Sequence, residues 1–210
     1  MNQLADSPLT RRTARADPRA PVQPLMRKLD AAEAPLHAAH LLRLSEHDRA
    51  MRFMGCVNDA HIERYCGVAG KNERCVLAYF DDGVVRGVAE TVFDSRPAWR
   101  GGCELALSVE SGHQGRGIGT ELMRRAILLA RNRGAGPVRI LFLRENRRMR
   151  ALALRLGMAL VVNGTEMEAS LRPQWPNQFT WLAENLGDGH AWWSRWLAGN
   201  TRPSTHAAHA

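Results

Sequence analysis

Most of the quick signposts to a function are missing from this chain. No apolar run in its 210 residues reaches the length of a membrane span, so no membrane insertion is expected. Arg11-Arg12 is not followed by an apolar segment and does not read as a twin-arginine export signal. Cys56, Cys66, Cys75 and Cys103 show no C-x-x-C spacing, and the eight His residues are scattered. No metal site is therefore expected, and reduced cytoplasmic thiols are. Acidic charge is outweighed: the net charge is +8, most of it from Arg. That balance suits an anionic cofactor or an acidic partner, and nucleic acid would exploit it equally. The chain lacks the aromatic spacing of an RNA-binding sheet and a clear helix-turn-helix, so nucleic acid ranks low as a partner.

What is present is concentrated in residues 103–133. Leu105, Leu107 and Val109 alternate with Glu104, Ala106, Ser108 and Glu110, the period of a strand. Gln114-Gly115-Arg116-Gly117-Ile118-Gly119-Thr120 follows, and then Ile118, Leu122, Ala126, Leu129 and Ala130 recur at helical spacing. A strand that ends in glycines and feeds a helix N-terminus makes an anion site. The missing Cβ atoms let a ligand approach the backbone, and free N–H groups at the positive end of the helix dipole favour phosphate. Two phosphate loops are excluded. No Lys-Ser or Lys-Thr pair completes a P-loop. The dinucleotide fingerprint fails because Thr120 stands at its third glycine and no acid lies in residues 134–143.

The remaining pattern, Gln114-Gly115-x-Gly117-x-Gly119 directly after a strand, resembles the Gcn5-related N-acetyltransferase (GNAT) superfamily. Asn146 through Gly157-Met158 is similar to the family's next segment, N-x-x-M…L-x-x-x-x-G-[FM], and LLRLSEHDRAMRFMG more loosely resembles bacterial Pat-like protein acyltransferases. The resemblance runs over about residues 22–172. It implies a mixed α/β single domain: a mostly antiparallel sheet flanked by helices, with two central strands splayed at an acetyl-CoA site. Residues 1–21 are expected to be a disordered arm. Residues 173–210, with Trp175, Trp181, Trp192, Trp193 and Trp196, are expected to add a helix packed on the domain and a disordered end.

Local signals fill in the order. VQPLMRKL (22–29) reads as an edge strand, and helices follow at 35–44, after Ser45, where Asp48 three residues on completes a capping signal, and after Asn58. CVLAYF and VVRGVAETVF form a hairpin around Asp81-Asp82-Gly83, and 94–102 reads as a loop. VRILFL (138–143) is almost wholly apolar, as expected of a strand buried on both faces. A helix follows Asn146, with the arginines of 144–155 on a solvated face, and Asn163-Gly164 turns a last hairpin.

The resemblance also implies chemistry. Leu107, Ser108 and Val109 would hold the pantetheine through their backbone. The pyrophosphate would sit on Gln114, Gly115, Arg116, Gly117, Ile118, Gly119 and Thr120, and Asn146 would touch the cofactor arm. Glu104, at the position of a Pat-like glutamate, would take the amine proton, its pKa raised by apolar neighbours; Glu110 and Glu90 are reserves. Ala153 stands where many members carry a general-acid tyrosine, and Tyr65 and Tyr79 match no such position. The expected function is acetyl transfer from acetyl-CoA to a primary amine, on a small molecule or a protein lysine, by direct attack on the thioester. The alternative is a non-catalytic acyl-CoA-binding sensor. A homodimer is left open.

Overall fold

The computed structural model describes residues 25–67, 73–94 and 101–187. The chain runs β1 (Leu25–Lys28), α1 (Ala34–Arg43), α2 (Glu46–Phe53), α3 (Asp59–Gly67), β2 (Arg74–Asp81) and β3 (Val84–Phe93). It continues with β4 (Cys103–Val109), α4 (Ile118–Asn132), β5 (Val138–Leu143), α5 (Arg147–Arg155), β6 (Ala159–Asn163), β7 (Glu166–Leu171) and α6 (Gln178–Gly187). The strands form one seven-stranded sheet in the order β1-β2-β3-β4-β5-β7-β6. Every neighbouring pair is antiparallel except β4 and β5, which are parallel. The expected mixed α/β architecture is the one found.

Short polar residues start the helices as their chemistry requires. Ser45 accepts the Asp48 N–H at 3.1 Å, Asn58 the His61 N–H at 2.9 Å, and Asn146 the Met149 N–H at 3.0 Å. In the first hairpin Asp82 and Gly83 both have positive φ, 50° and 74°, the type I′ geometry that matches strand twist. The last hairpin turns one residue later than expected. Asn163 pairs with Glu166 and ends β6, so Gly164, at φ 62°, leads a Gly164-Thr165 turn.

The two faces of the sheet differ. Leu105, Val138, Ile140, Phe142, Met167 and Ala169 lie on one face, buried against Ile118, Leu122, Met123, Ala126 and Leu129 of α4 and Ala153 of α5. Each buried Leu, Ile, Val, Phe or Met among them contributes roughly 1.5–3 kcal/mol. On the other face α1 and α3 pack through Leu41, Leu44, Ile62 and Cys66, but this cover does not extend over β5. VRILFL is therefore not buried on both sides: Leu141 on the second face is 38 % exposed. Val138, Ile140 and Phe142 face α4, whereas Leu141 borders a cleft on the second face.

α6 docks against α4, where Asn132 Nδ2 donates to the Thr180 carbonyl at 3.0 Å and to Glu184 at 2.7 Å. Lys28 of β1 reaches Glu184 at 2.5 Å. The expectations for the N-terminal arm, for Trp192, Trp193 and Trp196, and for most of the 94–102 loop lie outside the described residues.

Candidate functional site

β4 and β5 are paired at only two positions, Cys103 with Val138 and Glu104 with Arg139. The junction is pinned by backbone. Cys103 N–H donates to Pro137 O at 3.0 Å and Gly136 N–H to Gly101 O at 2.8 Å. Both strands then run on, β4 for five more residues, without pairing to each other. Since Cys103 points its N–H toward β5 and Glu110 donates to Arg86 O on the β3 side, ladder alternation turns the amide groups of Leu107 and the N–H of Val109 into this gap. A sheet interior with unpaired backbone groups is a place for an extended ligand. Ser108 is different. Its backbone belongs to the β3 ladder, and its hydroxyl lies 2.9 Å from His40 Nε2.

The glycine turn sits at the end of β4. Gly115 and Gly117 have φ of 75° and 82°, where a side chain would be strained. Gly119 serves packing instead: a Cβ there would lie 3.1 Å from Leu107 Cδ2, so its absence lets α4 start close against β4. The first helical bond of α4 is Glu121 N–H to Gly117 O, at 3.1 Å. The N–H groups of Ile118, Gly119 and Thr120 precede it and have no helical acceptor.

These parts line one cleft of about 1130 Å³. Of the expected site residues, Glu104, Leu107, Ser108, Val109, Gln114, Gly115, Gly117, Ile118, Gly119, Thr120 and Asn146 all line it. Arg116 does not; it is exposed outside the lining. Arg147, Arg148 and Arg155, expected on a solvated face, also border the cleft. Asn146 spends its side-chain oxygen on capping α5, which leaves its amide nitrogen for another partner.

The opposite wall is α2, and Gln114 ties it to the turn. Gln114 Nε2 donates to Val109 O at 2.8 Å and to Asp48 Oδ1 at 3.3 Å, and Arg148 donates to Gln114 Oε1. Asp48 also accepts from Ser111 at 2.6 Å and Ser45 at 3.0 Å. Burial would raise the Asp48 carboxyl, but these hydrogen bonds outweigh it and hold it below the usual range. Asp48 was legible as a capping residue only, because its other partners lie more than sixty positions away.

Three carboxylates named from the sequence have separate environments. Glu104 points into the cleft and is exposed, so the expected desolvation by apolar neighbours is not present. Glu90 is 1 % exposed; Tyr65 donates to it at 2.8 Å, Arg52 donates to it, and His37 Nε2 lies 3.2 Å away. Burial alone would push its pKa up, but Arg52, His37 and Tyr65 hold it far below the carboxylate range. Glu110 accepts from Arg43 at 2.9 Å and Arg86 at 2.8 Å, which likewise offset burial and keep it ionised. His40, on its other side at 3.3 Å, is pushed down to about 4 by burial despite Glu110. A carboxylate can only accept, so His40 Nδ1 carries the proton and Nε2 accepts from Ser108. Glu90 and Glu110 are thus committed to ion pairs, whereas Glu104 has no ion-pair partner among the described residues.

Ala153 is wholly buried, and the one tyrosine on the cleft wall is Tyr65 of α3, tied to Glu90 and Arg52. No local pattern in the sequence singles it out, because it reaches the cleft only through the packing of α3 on α2.

Comparison with known proteins agrees with this geometry. The GNAT domain of S. lividans PAT superposes with TM-score 0.61 at 18% identity, covering 70% of this chain and 89% of its own. The putative acetyltransferase yncA from Salmonella typhimurium, solved with acetyl-CoA, gives 0.54 at 19%, covering 75% and 99%. A ribosomal-protein-alanine N-acetyltransferase from Brucella melitensis gives 0.53 at 20%, covering 71% and 99%. No curated protein matches the sequence significantly. The model of the acetyltransferase (GNAT) family matches residues 38–158, more than half of the chain, and the chain belongs to that family.

Proposed function

We propose that this protein transfers an acetyl group from acetyl-CoA to a primary amine by direct attack of the amine on the thioester, with Glu104 as the base. The observation that carries the reading is the parted β4–β5 pair opening beside a glycine turn with unpaired helix N–H groups. The N–H groups of Ile118, Gly119 and Thr120 suit a pyrophosphate, with Arg148 and Arg147 adding positive charge at the same cleft. The free amide groups of Leu107 and the free N–H of Val109 suit the amide-bearing arm that leads to the thioester. Acetyl-CoA would supply a carbonyl open to amines and a thiolate able to depart.

Glu104 lies on the strand beside that gap, on the α2 side of the sheet. As an exposed carboxylate it takes the proton from an incoming ammonium directly or through one water, leaving the neutral amine to attack. The chain offers no tyrosine at the usual general-acid position, Ala153, so the thiolate is protonated from solvent. Four unpaired cysteines support a reducing, cytoplasmic setting.

The test is release of free CoA from acetyl-CoA across a panel of amine acceptors, with Glu104→Gln beside the natural protein. Turnover that the variant loses while still binding acetyl-CoA supports the reading. Acetyl-CoA bound with no turnover on any acceptor would leave the sensor reading, which the wholly buried Ala153 favours.

A further inference from the structure

On the second face of the sheet α1 packs on β3, and α2 on β4 and the near end of β5, while Leu141 of β5 and Val161 of β6 stay exposed. Register places Glu104, Arg139, Leu141, Glu166, Glu168 and Val161 on this open side, since paired residues share a face. The same strands bury Val138, Ile140, Phe142, Met167 and Ala169 on the other side. Leu141 is 38 % and Val161 60 % exposed, flanking Glu168, which pairs with both. The shelf begins at Glu104, in the cleft, and continues over the paired strands β5, β7 and β6.

Its charge opposes that of the molecule. Glu104, Glu166 and Glu168 make no ion pair or side-chain hydrogen bond among the described residues, whereas Arg139, the cation of the shelf, is paired with Asp94 at 3.7 Å. A chain of net charge +8 thus leaves three uncompensated carboxylates on one exposed, partly apolar surface, and that surface leads into the cleft. The carboxylates on the helix-covered side and on α4 are paired instead: Glu90, Glu110 and Glu121 each face two arginines.

We infer that this shelf docks the acceptor, and that the acceptor is a basic polypeptide segment laid across β5 and β7 with its lysine amine at Glu104. The inference rests on the acetyl-transfer reading above. Glu104 and Glu168 are separated by two strand spacings and, by register, two residues along the strand, about 12 Å in all. An extended peptide covers that distance in about four residues. The substrate therefore carries an Arg or Lys about four positions from the acetylated lysine, on the same face of the extended peptide, turned toward Glu168 and Glu166, with aliphatic stems over Leu141 and Val161. Free small amines have nothing to place on the shelf.

The experiment uses the full chain and N-terminally blocked peptides with a single lysine and either arginine or glutamate four residues to each side. Fluorescence anisotropy in the presence of CoA reads docking, and CoA release from acetyl-CoA reads turnover. The arginine peptides are expected to bind and react at least tenfold better than the glutamate peptides. The Glu166→Gln, Glu168→Gln double variant is expected to raise their KM about fivefold with kcat unchanged. Its kinetics on a small amine such as phenethylamine should not move. Equal use of both peptide classes, better use of free spermidine, or a double variant indistinguishable from the natural protein would overturn the inference while leaving acetyl transfer standing. A protein that fails to bind acetyl-CoA would sink the underlying reading instead, and anisotropy would still decide whether the shelf takes a basic peptide.

Discussion

Glu104 and Arg139 form the last paired position between β4 and β5, and beyond them the two strands part. That single register pair locates three things at once. It ends the continuous sheet, it starts the gap into which Leu107 turns its backbone, and it sets a free carboxylate at the mouth of the cleft.

The junction that holds this register has no slack. A Cβ on Gly102 would lie 2.3 Å from the Pro137 carbonyl oxygen, a backbone atom that cannot rotate away. Gly102→Ala should cost about 2 kcal/mol or more, read as a lower urea midpoint. Gly112→Ala, where nothing lies within 4 Å, is the control and should leave the midpoint in place.

Glu104 and Glu90 should separate cleanly on substitution. Glu104→Gln is expected to lower kcat about a hundredfold or more, because it removes the proton acceptor, while thermal stability stays put. Glu90→Gln removes the counter-charge of Arg52 from a site that is 1 % exposed and should destabilise the fold by about 3 kcal/mol. Comparing kcat and the unfolding midpoint of both variants checks the division. A normal kcat for Glu104→Gln would remove it as the base.

His40 makes the protein acid-labile. Burial lowers its pKa in the folded state to about 4, against about 6.5 for an unfolded histidine. The unfolded chain therefore binds a proton below pH 6.5 that the folded chain refuses. Stability is unaffected above pH 6.5, falls as pH drops from there to about 4, and loses about 3 kcal/mol over that window. Urea midpoints between pH 7.5 and 4.5 test it. His40→Gln, which cannot titrate, should flatten the slope, and an unchanged slope would show that other groups govern it.

How much of this could be read from the residues depended on distance along the chain. The strand, turn and helix of 103–133 were legible because each carries its own period and the glycines mark the turn between them. The same holds for Ser45, Asn58 and Asn146, whose caps act within three residues. Asp48 was not, since its role in bracing Gln114 requires α2 to cross the cleft, which no local pattern states. β5 misled for a related reason: VRILFL shows that one face is apolar, but whether a helix covers Leu141 is decided by elements elsewhere. The Gly164-Thr165 turn differs by one residue from Asn163-Gly164 because Gly164 serves equally as the second residue of one two-residue turn or the first of another, and here, at φ 62°, it is the first.

The most direct test of the account is calorimetric titration of acetyl-CoA into the natural protein and into Gly117→Glu. Gly117 caps α4 at φ 82°, so a glutamate there adds backbone strain, bulk and negative charge at the point where N–H groups await phosphate. The expected result is one saturable site per chain in the natural protein and no measurable binding in a variant whose circular dichroism is unchanged. Binding of equal strength to both would contradict the placement of the pyrophosphate on this turn, and no binding to the natural protein would contradict the acetyl-CoA site itself.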